Sequence, residues 1–225
     1  MEKIVLTALI TFVVVFLLFI ICLWVYLNLF LKDRKNTHDL LNKIAPKNPI
    51  VFLGDSLTDF YSVNGFFCRA DVINRGIASD RVCEVEKRVD GILQLDPKMV
   101  ILQIGVNNLI KTFLPPNPKN VAKNIINLVE RIKTKTQVKV VSLYPVNFSK
   151  KFFSFILLGY ATNGKIKKIN EILKNYCLEN GVDFIDVHSK LVDKKGKLNE
   201  KYTIEGLHIS AEGYKIISEE IGKFI

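Results

Sequence analysis

The chain has 225 residues, enough for one domain with a full core plus a short extra element, and carries a net charge of +10. Only six of its 32 basic residues are Arg, and the lysines are scattered rather than gathered with aromatics, which sets nucleic-acid binding aside. Cys22, Cys68, Cys83 and Cys177 form no CxxC pair and no Cys/His ligand spacing, which argues against a disulfide framework and a metal site. Cys83 and Cys177 read as core residues on apolar helix faces.

The chain opens on a membrane-type segment. Ile4 to Leu31 hold no charge and are almost wholly apolar, against the roughly 20 residues a helix needs to cross a bilayer. The run ends in Trp24, Tyr26, Leu29 and Phe30, without the small-residue cleavage site of a signal peptide. Residues 1–31 are therefore expected to be an uncleaved single-pass transmembrane anchor. Lys3 precedes the run, whereas Lys32, Arg34, Lys35, Lys43 and Lys47 follow it. That bias favours a cytoplasmic domain, but long domains translocate despite their charge, and both sides stay open. The basic surface also suits anionic lipid or a polyanionic wall. Residues 32–48, polar and lysine-rich, read as a tether with His38 in solvent.

From residue 49 onward, strand-like and helix-like patterns alternate. Val51-Phe52-Leu53 reads as a buried strand and Val72-Ile73-Asn74 as a second. Ser79 reads as the cap of a helix with Val82, Val85, Val89, Ile92 and Leu93 on one stripe. Met99 to Ile104 is a third strand, and Val121, Ile125, Leu128, Val129 and Ile132 stripe the next helix. Val138 to Leu143 is a fourth strand. Ile166, Ile169, Ile172, Leu173 and Tyr176 stripe a helix ended by Gly181, and Val182 to Ile185 is a fifth strand. Ser210 opens a last helix with Tyr214, Ile217 and Ile221 inward. This alternation predicts an α/β domain over 49–225: a three-layer α/β/α sandwich around a five-stranded parallel sheet. Ligands of such sheets bind beyond the carboxyl ends of the strands, where Ser56, Gly76 and Asn107 all fall.

Four blocks carry the chemistry: Gly54-Asp55-Ser56-Leu57, Asn74-Arg75-Gly76-Ile77, Gly105-Val106-Asn107-Asn108 and Glu205-Gly206-Leu207-His208. A serine hydroxyl is a weak nucleophile until a base takes its proton, and histidine titrates in the range that suits the task. The order serine, acid, histidine is one of the known triad orders. Ser56 alone could be no more than a helix cap, and Asp55 reads as a structural acid bonding turn amides. His188, after the fifth strand, reads as structural or surface rather than as a second base. Asp186, Asp193 and Glu205 show no metal spacing.

Together the four blocks resemble the SGNH (GDSL) hydrolase superfamily, in particular its acetylhydrolase-like esterases, over residues 50–225. The resemblance implies an SGNH/flavodoxin-like fold with Ser56 as nucleophile and His208 as base. Glu205 stands where the family usually has aspartate, as the group that orients His208. The backbone N–H groups of Ser56 and Gly76 and the side-chain amide of Asn107 would form the oxyanion hole. Asn108 stands where the family usually has aspartate, in a supporting position. No cofactor and no metal is implied.

The implied function is that of a membrane-anchored serine esterase acting on short acyl esters of a carbohydrate or lipid. An acyltransferase using the same serine is an alternative, and so is a glycan- or lipid-binding module that does not turn over. Phe148 to Tyr160, two lysines beside a dense apolar stretch, reads as a lid or helix extension over the site or as an interfacial contact.

Overall fold

The computed structural model describes residues 2–110, 112, 114–147 and 160–225. Its chain divides into two compact units, Met1–Leu41 and Asn42–Ile225. The expected lid or interfacial segment, apart from Tyr160, lies outside the described residues.

Helix α1 (Glu2–Lys43) is long and apolar enough to cross a membrane, with a window of mean hydropathy 3.3. Phe12, Phe16, Phe19 and Trp24 on it are exposed. The helix runs on past the charges at Lys32 to Lys35, so most of the expected tether is helical. No Gly or Pro stands between Lys32 and Ala45, and helix propagation has nothing to stop it before Pro46.

In the second unit, β1 (Ile50–Gly54), β2 (Val72–Gly76), β3 (Met99–Gln103), β4 (Gln137–Val141) and β5 (Asp183–Ile185) form one parallel sheet in the order β2-β1-β3-β4-β5. The register pairs Ile50 with both Val72 and Met99, Met99 with Gln137, and Val141 with Ile185. All five residues of β1 and of β3 are buried. Helices on both faces make continuous apolar runs, rather than alternation, the right pattern for such strands.

The order of winding sets the layers. From β1 the chain moves one way to β2 through α2 (Ser56–Asp59) and α3 (Val63–Phe67). It then reverses, reaching β3 through α4 (Val82–Leu93), β4 through α5 (Asn107–Ile110) and α6 (Pro118–Lys133), and β5 through α7 (Asn163–Glu179). Right-handed crossovers in opposite directions put α4, α6 and α7 on one face and α2 and α3 on the other. The contacts of α4 with α6 and of α6 with α7 agree. After β5 come the short α8 (His188–Leu191) and then α9 (Ala211–Ile221), which packs on α3. The reversal of direction opens a crevice between the carboxyl ends of β1 and β3.

Apolar stripes match the buried faces. Val82, Val85, Val89 and Ile92 of α4 are buried, as are Val121, Ile125, Leu128, Val129 and Ile132 of α6. Cys177 is buried as expected, and that burial pushes its thiol up to about 11. Cys83, by contrast, is exposed, because it falls beside rather than on the stripe. The start of α4 also differs from expectation: Ser79 is not its cap. The Glu84 carboxylate accepts from Arg81 N (2.9 Å), and Asn108 Oδ1 accepts from Val82 N (3.1 Å).

Arg88, on α4, ties the strand ends together. Its guanidinium donates to Asp80 Oδ2 (2.8 Å), to Arg75 O (2.9 Å) and to Gly54 O (3.1 Å). The Arg88 and Asp80 side chains are only 17% and 4% exposed. Replacing Arg88 by Met should therefore lower stability by about 3–5 kcal/mol, since it leaves a buried carboxylate without its cation. Arg131→Met, which breaks a solvent-exposed pair with Asp90 (39% and 66% exposed), should cost about 0–1 kcal/mol. Urea unfolding of the two variants beside the parent protein measures the contrast.

Candidate active site

Ser56 is the first residue of α2, directly after the turn that ends β1. Asp55 shapes that turn and is fully buried. Its Oδ1 accepts from Leu57 N (3.0 Å), and its backbone carbonyl accepts from Thr58 N (3.1 Å) and Asp59 N (2.8 Å). Asp55 is therefore the structural acid the sequence implies. From α9, the Tyr214 hydroxyl donates to Leu57 O (2.9 Å), holding the short helix from the other side. Burial, with the Asp55 carboxylate adding to it, pushes the Tyr214 hydroxyl up, so it stays a donor. Ser56 N–H belongs to the first turn of α2, where a helix leaves its amides without internal partners.

His208 arrives from the far end of the chain. Its Nε2 lies 3.1 Å from Ser56 Oγ, and its Nδ1 lies 2.5 Å from Glu205 Oε1. With the ring proton on Nδ1 and donated to Glu205, Nε2 is left to accept from the serine hydroxyl. The same Oε1 accepts from the backbone N of His208 (3.0 Å), so the carboxylate folds back over its own loop. This second bond lets the longer glutamate reach the ring from three residues away. Ser56 is 7% exposed, and the His208 and Glu205 side chains are 29% and 21% exposed, so the line opens to solvent at the histidine end.

The loop carrying these groups is pinned at several points. Thr203 Oγ1 accepts from Gly206 N (2.8 Å) and donates to His208 O (2.9 Å), while Ile204 N also donates to His208 O (3.0 Å). Gly206 has φ +104°, and a Cβ there would lie 2.2 Å from Asn147 O. Only glycine meets both conditions. Asn147 N donates to Gly206 O (2.8 Å), and Asn147 Nδ2 donates to Leu198 O (2.8 Å), coupling the loop to the chain beyond β4.

Asn107 opens α5 just beyond β3, across the crevice from Ser56, and is buried. One of its amide protons goes to Asp80 O (2.9 Å), which orients the group and leaves the second proton to donate elsewhere. Gly76 departs from expectation. Its N–H donates to Asn74 Oδ1 (2.8 Å), so it is not an oxyanion donor in this geometry. A Cβ on Gly76 would lie 2.2 Å from Asp59 N and 2.6 Å from Thr58 C, so glycine is required because the backbone of α2 packs directly on β2. The strand end does carry an unusual backbone, three residues later. Ser79 has φ +75° inside the turn closed by Asp80 N to Ile77 O (3.2 Å). Glycine normally takes that position, so the sequence carries no ordinary signal for the turn.

Phe60 was not singled out by the sequence. It is 57% exposed and lies 5.3 Å from the His208 ring at an interplanar angle of 49°. Its place four residues after Ser56, at the end of α2, is the one signal that could have found it. Among the described residues, no group of three or more His, Cys, Asp and Glu side chains is gathered to hold a metal ion. A line of acid, imidazole and hydroxyl with these spacings can draw a proton from serine and return it to a leaving group.

Residues 52–216, well over half of the chain, match the GDSL-like Lipase/Acylhydrolase family. Among curated proteins, the chain is 26% identical over 202 residues to the GDSL esterase/lipase WDL1 of Oryza sativa subsp. japonica, covering 79% of this chain and 77% of that protein. It is 25% identical over 190 residues to the N-acylneuraminate cytidylyltransferase of Streptococcus agalactiae serotype III. That match takes in 83% of this chain but only 40% of the length of the cytidylyltransferase. Among solved structures, a GDSL-like lipase from Bacteroides thetaiotaomicron superposes with a TM-score of 0.73 at 23% identity, over 86% of this chain and 97% of its own. With its sheet order and its strand-end serine, the chain belongs to the GDSL-like lipase/acylhydrolase family of SGNH hydrolases.

Proposed function

We propose that the chain is a membrane-anchored serine esterase that cleaves short-chain carboxylic esters of a carbohydrate or lipid through an acyl-Ser56 intermediate. The observation that carries this reading is the hydrogen-bonded line from Glu205 through His208 to Ser56. His208 Nε2 takes the hydroxyl proton as Ser56 Oγ attacks the ester carbonyl. The tetrahedral oxyanion is met by Ser56 N–H and by the second amide proton of Asn107. As it collapses, His208 passes the proton to the departing alcohol, leaving the acyl-enzyme. Water, deprotonated by the same imidazole, then releases the carboxylic acid and restores the serine. Glu205 holds the imidazole in the working tautomer and balances its charge while it carries the extra proton. Phe60, beside the His208 ring, supplies an apolar wall where the leaving group departs.

The anchor reading is supported by the uncharged run from Ile4 to Leu31 and by the apolar side chains that α1 leaves exposed all round. The ester class is supported by the family, named for lipases and acylhydrolases. Cytidylyl transfer is not part of the reading, because the match takes in less than half of the cytidylyltransferase. An acyltransferase would share the acyl-enzyme, and added methanol would then divert product from acid to methyl ester.

Fluorophosphonate labelling of the full chain in detergent, beside hydrolysis of p-nitrophenyl acetate and octanoate, tests the chemistry. Ser56→Ala should abolish both signals. Asn107→Ala should lower kcat about 10²–10³-fold. Glu205→Gln should lower it by up to about 10⁴-fold. A folded parent protein that neither labels nor turns over would refute the esterase. Extraction of membranes at alkaline pH should leave the full chain in the pellet, and its release into the supernatant would refute the anchor.

A further inference from the structure

A second cleft lies along the same edge of the sheet as Ser56. It has a volume of about 180 Å³ and sits between α7 and the carboxyl end of β5. Lys167, Glu171 and Lys174 of α7 form one wall, and Phe184, Asp186 and His188 form the other. A space of that size, open on one side, has room for one small ring.

His188 makes this more than a surface dent. It is 9% exposed, it lines the cleft, and its Nε2 is buried without a hydrogen-bond partner. Its position is fixed from behind, where its backbone N donates to Ser142 Oγ (2.8 Å) and Ser142 N donates to Ile185 O (3.0 Å). A buried polar atom without a partner costs free energy, on the order of 1–3 kcal/mol, unless something fills the role. Burial, helped by Lys167 and opposed by Asp186, pushes the imidazole below its ordinary range, which keeps it neutral. A neutral imidazole nitrogen donates or accepts according to tautomer.

The rest of the wall narrows the ligand. Two carboxylates disfavour a simple anion, and two lysines disfavour a cation. Half-buried Phe184 adds an apolar patch. Donors and acceptors beside one aromatic side chain suit a ligand whose groups both donate and accept, with C–H faces between them. We infer that this cleft binds one uncharged sugar ring.

Taken with the esterase reading, on which this use of the cleft rests, it is a distal subsite for the alcohol portion of a glycan ester. Ser56 follows β1 and His188 follows β5, three strand spacings away in the sheet. At ~4.8 Å each that is roughly 14 Å, farther than one ring spans. The ring in the cleft and the sugar that bears the ester then belong to different residues of one saccharide chain.

Saturation-transfer NMR on the full chain in detergent, with methyl β-D-glucopyranoside, N-acetylglucosamine and xylobiose as probes, tests this. At least one probe should receive saturation from the parent protein and equally from Ser56→Ala, in which turnover plays no part. The paired change Glu171→Ala and Lys174→Ala alters only exposed side chains, and it should weaken that binding at least about tenfold while p-nitrophenyl acetate hydrolysis is unchanged. His188→Gln should weaken it as well. No transfer to any of the three sugars, or undiminished transfer in the paired variant, would overturn the sugar site. A parent protein that binds sugar but hydrolyses no ester would overturn the esterase instead.

Discussion

The site depends on one cation inside the domain. Arg88 reaches from α4 across the edge of the sheet and binds the carbonyl at the end of β1, the carbonyl near the end of β2 and the carboxylate of Asp80. Guanidinium suits this task because its donors are fixed in one plane and its charge persists when buried. One of these acceptors, Gly54 O, lies two residues before Ser56. Another, Asp80, receives the Asn107 amide on its backbone carbonyl. Serine and asparagine, from different strands, are thus held through a common partner rather than by touching each other. Rigid support of this kind gives a preorganised site its effect, because the donors need not rearrange as charge develops.

The second constraint is local. Glu205 and His208 are neighbours in sequence, and their geometry depends on a loop that doubles back within four residues. The backbone N–H of His208 and its ring N–H converge on one carboxylate oxygen. Thr203 and Asn147 satisfy the loop's own backbone groups. A glutamate in this position loses more side-chain entropy than an aspartate would. The second bond offsets that cost and removes the freedom that would let the carboxylate swing away. The departure from the family's aspartate is therefore accommodated by the backbone and not by a displaced histidine.

Much of this was legible in the sequence, for definite reasons. Strands buried on both faces must be apolar throughout, so β1 and β3 stand out as unbroken runs. Helix stripes at 3.6-residue spacing located α4, α6 and α7. Ser56, Glu205 and His208, which stand in one hydrogen-bonded line, drew notice as residue types that suit such a line. What failed was tied to backbone. Gly76 attracts notice as a glycine beside the site, yet its lack of a side chain serves the packing of α2 on β2, and its N–H goes to Asn74. Ser79 looks like a helix cap, but the helix starts two residues later, where Glu84 of its own first turn and Asn108 from beyond β3 cap it. Cys83 sits one step off an apolar stripe. His188 is held at its backbone N–H by Ser142 Oγ, just beyond β4, a contact that no local pattern announces.

The turn at Ser79 shows how these levels interact. A non-glycine residue at φ +75° costs of order 1 kcal/mol or more and persists only when its surroundings over-determine it. Here Ala78 N donates to Asp59 Oδ2 (3.0 Å), which ties the turn to α2. Asp80 on the other side is held at its carboxylate by Arg88 and at its carbonyl by Asn107. The turn is clamped at both flanks by groups from the helix that starts at Ser56 and the helix that starts at Asn107. Strain in the turn is therefore held by the same bonds that place Asn107. The same few bonds that stabilise the sheet edge hold Ser56 and Asn107 in place, which is why Arg88 bears on the geometry of the proposed site.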